Sequence, residues 1–306
     1  MALTNANPPR HLADVIPADA AARLKSLLLF ARSRVEGRHA GDNRSVLKGM
    51  SSDFMQHRQY FPGDNLKYID WRVFGRTSRY VIREYEETTN LDLYLVLDTT
   101  ASMGFAGDGM SKHAFAVKVS AILFYLMLLH KDTFGLSLFS EAMVSHVDPA
   151  GGRRHLLQLY ASLLDHVPRG VADWTAALRQ VQSRVRRRGL VIVLSDFMDD
   201  PLRIGKGLSG FRSLGCDVIA FHIIHPQEQT LGQSNMTRYV DIEDRTAETV
   251  DPLLIRDAYA RQFGEHVVAV RGECTRRGIA SCDLVVSDDY HKAIGAYLRR
   301  RMAMLM

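Results

Sequence analysis

An α/β fold with a doubly wound, mostly parallel sheet is predicted by three features of the sequence. From residue 91 onward, short aliphatic runs alternate with stretches of helical spacing. One of the runs, Leu190–Leu194, is continuously aliphatic, as a parallel strand covered on both faces must be, and Leu91–Leu97 is apolar but for Asp92 and the Tyr94 hydroxyl. Between them, Ser111–His130 is apolar on most sides, which predicts a helix packed against the sheet rather than facing water.

The elements follow in order. Residues 1–12 read as a loose tail. Leu24, Leu27, Leu28, Ala31 and Val35 recur at helical spacing, so Asp19–Glu36 is predicted as an amphipathic helix stopped by Gly37. Arg38–Gly49 reads as a loop. Asp53–Glu87 is dense in aromatics, Arg and Asp around a Pro62-Gly63-Asp64-Asn65 turn, and predicts short strands and turns, with Ser78–Tyr85 as a strand. Strands are then expected at Leu91–Leu97, Phe134–Phe139, Met143–Val147, Leu190–Leu194, Asp217–Ile224 and Asp283–Val286. Helices are expected at Ser111–His130, Arg154–His166, Asp173–Arg187, Leu202–Leu214, Pro252–Arg277 and from Tyr290. A hairpin-like segment surrounds Arg238–Glu243. Residues 1–90 are expected to form a small lobe on a main domain of residues 91–306.

The composition bounds the function classes. With 46% hydrophobic and 24% charged residues, the chain reads as an ordinary soluble globular protein. The three cysteines, Cys216, Cys274 and Cys282, form no C-x-x-C pair and no disulfide framework, which suits a reducing compartment. Met1–Arg10 lacks a basic-then-apolar signal, and Val119–Leu129 is too short to span a bilayer; a cytoplasmic location is expected. Residues 1–90 carry 14 Lys and Arg against 10 Asp and Glu, and the remainder 25 against 24. The basic excess is interleaved with acids, so a solvated mixed-charge surface is preferred over nucleic-acid binding.

In doubly wound sheets ligands bind beyond the C-terminal strand ends. Two apolar strands end there in an acid, Asp98 and Asp196. Asp98, Thr100 and Ser102 occupy alternate positions, so one carboxylate and two hydroxyls can converge on one point. These hard oxygen donors suit Mg²⁺ or Mn²⁺ rather than Zn²⁺.

This arrangement resembles the metal-ion-dependent adhesion site of von Willebrand factor A domains, whose pattern is Asp-x-Ser-x-Ser with a later Thr and Asp. Asp98 and Ser102 match, Thr100 keeps the hydroxyl, and Asp196 matches the later Asp. Aligning Asp173-Trp174-Thr175-Ala176-Ala177-Leu178 to the family's Thr-Asp-x-x-x-Ala-Leu places Ala172 at the missing Thr. Thr175 stands one turn further on and substitutes only if the helix start shifts.

A second resemblance rests on the stretches Asp53–Asp64 and Ile69–Thr77. These are similar to the hallmark Arg-x-Tyr-x-Pro-Gly-Asp-Asp-x-Arg-x-Ile-Asp-Trp, then Ala-Arg-Thr, of the domain of unknown function 58 family. Asn65, Lys67 and Gly75 depart from it mildly. The resemblance implies a von Willebrand A-like domain and, as partner, a MoxR-type AAA+ ATPase in chaperone-like assembly. Within the signature, Arg58, Asp64, Asp70 and Arg76 alternate with Tyr60 and Trp71. Guanidinium–carboxylate forks held by aromatic planes would make a rigid cluster, either a clamp for the lobe or a partner-docking face.

Other chemistry is not supported. The second position after Asp98 is Thr100, not the Asp of the Asp-x-Asp motif of haloacid-dehalogenase phosphatases. Neither a Gly-x-Ser-x-Gly elbow nor a phosphate-binding loop is present. His222 and His225 read as packing or capping, and Asp199-Asp200 as a helix cap. The expected function is therefore a non-enzymatic adaptor that grips an acidic side chain of a partner through a metal held by Asp98, Thr100, Ser102 and Asp196. A metal-dependent phosphoester hydrolase and nucleic-acid binding through the basic lobe are the alternatives.

Overall fold

The computed structural model describes residues 54–62, 64, 66–85, 91–229, 237–240, 247–286 and 294–295. Two compact units divide the chain, one of them Glu36–Asn90. The expected helix Asp19–Glu36, the loop after it and the Met302–Met306 tail lie outside the described residues, as does nearly all of the helix from Tyr290.

In the smaller unit, β1 (Phe54–Gln59) pairs antiparallel with β2 (Val81–Tyr85). Between them lie a 3₁₀ turn, Leu66–Tyr68, and a seven-residue helix α1 (Trp71–Thr77). To the expected short strands and turns the structure adds α1. Its cause is Asp70, whose Oδ1 accepts the Arg72 and Val73 N–H groups at 3.0 and 3.3 Å and so nucleates the helix.

The larger unit holds a six-stranded sheet in the order β10-β7-β6-β3-β4-β5. Its strands are β3 (Asp92–Asp98), β4 (Thr133–Phe139), β5 (Met143–Ala150), β6 (Leu190–Ser195), β7 (Asp217–Ile224) and β10 (Ala280–Val285). All neighbours run parallel except β5, which pairs antiparallel with β4 at the edge. The helices are α2 (Lys112–Leu129), α3 (Arg153–Leu164), α4 (Trp174–Gln182), α5 (Pro201–Ser213), α6 (Pro226–Gln229) and α7 (Pro252–Arg276). β8 (Thr237–Val240) and β9 (Ala247–Val250) form a separate antiparallel pair.

The strand alternation explains the layering. Leu93, Leu95 and Leu97 of β3 join Ile192 and Leu194 of β6 in a core covered by α2 and α3. Tyr94 and Val96 point the other way and join Val191, Val193, Trp174, Leu208 and Val270, under α4, α5 and α7. α2 is buried along most of its length; by length and composition it could cross a membrane, yet here it is the central core helix.

Where the expected helix Asp173–Arg187 runs to 187, α4 stops at Gln182, with Ser183 as its C-cap. In the basic segment that follows, the Arg187 N–H donates to the Tyr94 hydroxyl at 3.3 Å.

From β3 the chain moves outward to β4 and β5, then returns to the other side of β3 as β6. The C-terminal ends of β3 and β6 thus flank the topological switch point, where such sheets form their ligand crevice.

Candidate cation-binding site

The register pairs Leu97 with Leu194, so Asp98 and Ser195 end the two strands side by side. Asp98 is 1% exposed. Its Oδ1 accepts the Thr100 N–H at 2.9 Å and the Thr100 hydroxyl at 2.8 Å; its Oδ2 accepts the Ser195 hydroxyl at 2.6 Å. The Thr100 and Ser102 hydroxyl oxygens are 3.0 Å apart. These oxygens line a pocket of about 210 Å³ together with Asp196, Val171, Ala172, Trp174, Met198, Asp199 and Arg203.

Burial, followed by the nearby Asp196 charge, pushes the Asp98 carboxyl up to about 7, although three hydrogen bonds pull it down. A carboxyl so placed is stabilised as an anion when a cation enters the pocket.

Asp196 is held differently. Its Oδ2 accepts from the Lys112 ammonium at 2.7 Å, and Lys112 also donates to Glu228 Oε1. Lys112 is 1% exposed, a placement lysine adopts only when paired. Burial alone would lower its pKa, but Asp196 and Glu228 together raise it, so the ammonium stays charged. Glu228 Oε2 accepts the His225 N–H at 3.1 Å, which fixes the carboxylate from its other side.

The β6–α5 turn carries a left-handed residue that is not glycine. Phe197 has φ 49°, its N–H donates to Ser195 Oγ at 2.8 Å, and His266 Nε2 bonds its carbonyl at 2.9 Å. Its buried ring stacks on Trp174 at 5.3 Å. This packing and bonding hold a backbone conformation costing on the order of 1 kcal/mol, a form of strain that clusters at functional sites. Asp196, Met198 and Asp199 all come to the pocket from this turn.

The oxygen donors fit a small hard cation. Mg²⁺ with ligands at about 2.1 Å sets neighbouring oxygens about 3.0 Å apart, the spacing of the Thr100 and Ser102 hydroxyls. Among the described residues no group of three or more His, Cys, Asp and Glu is placed to hold a metal ion. Ala172 lines the pocket without an oxygen to give. Thr175 is exposed on α4 outside the pocket lining, its N–H held by Asp173.

Lys112, Ser195, Asp199 and Arg203 were not singled out as site residues from sequence. Lys112 carries a usable signal: a lysine in the first turn of an apolar helix opposes the helix dipole, so an acid must hold it. His222 is buried 3.6 Å from Asp283 and His225 Nδ1 accepts the Gln227 N–H. Asp200 caps α5 through the Leu202 N–H.

In the smaller unit, Arg58 and Asp64 form the expected fork, at 3.0 and 3.1 Å. Asp70 pairs with His57 and the α1 N-terminus. Tyr60 is half-buried, 6.2 Å from Tyr80, while Trp71 and Arg76 are exposed.

A family model described as "Protein of unknown function DUF58" matches residues 56–269. The chain belongs to this family. Uncharacterized proteins Rv1480 of Mycobacterium tuberculosis and Mb1516 of Mycobacterium bovis are each 27% identical to this DUF58 chain over 267 residues, covering 85% of it and 83% of their own length. BatB from Bacteroides thetaiotaomicron, at 13% identity, covers 70% of the DUF58 chain and 100% of its own with a TM-score of 0.46. The VWA domain of SpRpn10, at 11% identity, covers 69% and 95% with a TM-score of 0.42.

Proposed function

We propose that this DUF58 protein is a non-enzymatic interaction module whose strand-end pocket holds Mg²⁺ or Mn²⁺ and, through it, an acidic side chain of a partner protein. One observation carries the reading. Asp98, Thr100, Ser102 and Asp196, drawn from two adjacent strand ends, converge on one polar pocket at the switch point of the sheet. Asp98 would bind the ion directly, Thr100 and Ser102 would contribute hydroxyl oxygens, and Asp196 would bind directly or through water. The ion would supply positive charge to attract the partner's carboxylate. With no Thr at Ala172, the site offers few protein oxygens and leaves coordination positions for that carboxylate.

The partner class that the family resemblance suggests is a MoxR-type AAA+ ATPase. The three cysteines, free in the structure, favour a reducing, cytoplasmic setting. Calorimetric titration with Mg²⁺ and Mn²⁺ tests the metal: binding is expected in the wild type and lost in Asp98→Ala, and an absence of binding overturns the metal reading. Co-purification with a MoxR-type AAA+ ATPase from the same organism, at near-physiological salt, tests the partner; its failure overturns that part. The hydrolase alternative finds no lysine, histidine, cysteine or tyrosine lining the pocket to serve as nucleophile or base beside its acids. Metal-dependent phosphoester turnover lost in Asp98→Asn would reinstate it.

A further inference from the structure

Lys112 brings a full positive charge to the carboxylate beside the pocket, and three chain segments far apart in sequence combine to hold it there. It donates to Asp196 Oδ2 at 2.7 Å and to Glu228 Oε1 from α6. Its own backbone N–H donates to Phe105 O at 3.0 Å, and the ammonium lies 5.9 Å from the Phe105 ring centroid. That ring meets His225 edge-on at 5.0 Å, on the same segment whose N–H holds Glu228. The arrangement is closed to solvent at Lys112 and partly open at Glu228, whose side chain is 17% exposed.

We propose that Lys112 is a resident counter-cation that weakens the pocket's hold on a divalent ion, with Glu228 setting how strongly it does so. The inference rests on the reading of the pocket as a cation site and goes beyond it by assigning its affinity control. The reasoning is electrostatic. Asp196 has two oxygens, and Lys112 commits Oδ2; Oδ1, which the Met198 N–H approaches at 3.4 Å, is the one left for the pocket. A divalent ion entering beside Asp98 meets the attraction of Asp196 already offset by an ammonium one carboxylate away. Glu228 draws part of that ammonium's charge toward α6. Removing Lys112 therefore strengthens the pull on a dication, and removing the Glu228 charge weakens it, because Lys112 is then less neutralised. An ion held weakly by the protein alone gains most from a further oxygen ligand brought by a partner.

The test is Mn²⁺ titration of the full chain, with free Mn²⁺ read by electron paramagnetic resonance. Lys112→Met is expected to bind Mn²⁺ about tenfold more tightly than the wild type, and Glu228→Gln about threefold more weakly. Lys112→Arg, which keeps the charge, is expected within about twofold of the wild type. A purely architectural Lys112 would change stability in these variants and leave the affinities unmoved. Unchanged or weaker binding by folded Lys112→Met overturns the proposal while leaving the site reading intact. If Lys112→Met does not fold, unchanged binding by Glu228→Gln overturns it. Should neither the wild type nor any folded variant bind Mn²⁺ at millimolar concentration, the cation site and this inference both fall.

Discussion

Asp98 and Asp196 end neighbouring parallel strands, are both nearly fully buried, and line the same pocket, yet they are stabilised by opposite means. Asp196 faces a lysine at 2.7 Å. Asp98 faces two hydroxyls and an N–H, neutral donors that offset burial only in part and leave its carboxyl at about 7. One acid has its cation built in; the other, on the reading proposed above, would receive one. A pair of identical residues is thus set in two different electrostatic environments by the neighbouring side chains.

The largest effect should come from breaking the permanent half. Lys112→Met leaves buried Asp196 and half-buried Glu228 without their cation, and about 3–5 kcal/mol of stability is expected to be lost in metal-free protein, read by urea denaturation. A loss under 1 kcal/mol would mean that water already solvates this pair. The next effect concerns the other half. The folded pKa of Asp98 lies above its unfolded value of 3.8, so its contribution to stability is fully present below about pH 3.8 and is lost as pH rises through about 7. Replacing it by Asn removes that loss. In chelator-treated protein, Asp98→Asn is expected to gain roughly 2 kcal/mol relative to wild type between pH 5 and pH 8, and parallel pH profiles would contradict the assignment.

Two smaller changes sharpen the comparison. Ala172→Thr adds the missing hydroxyl to the pocket lining and is expected to tighten Mg²⁺ binding by about tenfold, roughly 1.4 kcal/mol, in a calorimetric titration. No tightening would place residue 172 outside ligand reach. Thr175→Ala, outside the pocket, is expected to leave Mg²⁺ affinity unchanged; a clear loss would show that α4 begins differently in the bound form.

Much of this fold is legible in the sequence because parallel strands must be apolar on both faces. Leu190–Leu194 marks itself by a continuous aliphatic run, and β7 matches its expected bounds. The acids that follow Leu97 and Leu194 are legible too, since a charge that follows such a strand sits at the sheet edge. What failed were features decided by distant partners. The chain beyond α4 is met by a partner 93 residues away, where the Arg187 N–H bonds the Tyr94 hydroxyl. Lys112 at the start of an apolar helix calls for an acid, but only the topology of β6 and α6 supplies Asp196 and Glu228. Asp70 also caps α1 and bonds His57, a local use that the signature does not announce. Local pattern reveals strands and their ends; the electrostatic partners of a buried charge come from the topology.

The central claim is that the Asp98 half of the pair is built to receive a cation. Its most direct test is calorimetric titration of the full chain with Mg²⁺ at pH 8, above the Asp98 pKa, alongside Asp98→Ala. The account predicts single-site binding in the wild type, weakening at pH 6 as protons compete for Asp98, and none in Asp98→Ala. Absence of binding at millimolar Mg²⁺, or equal binding by Asp98→Ala, would contradict it.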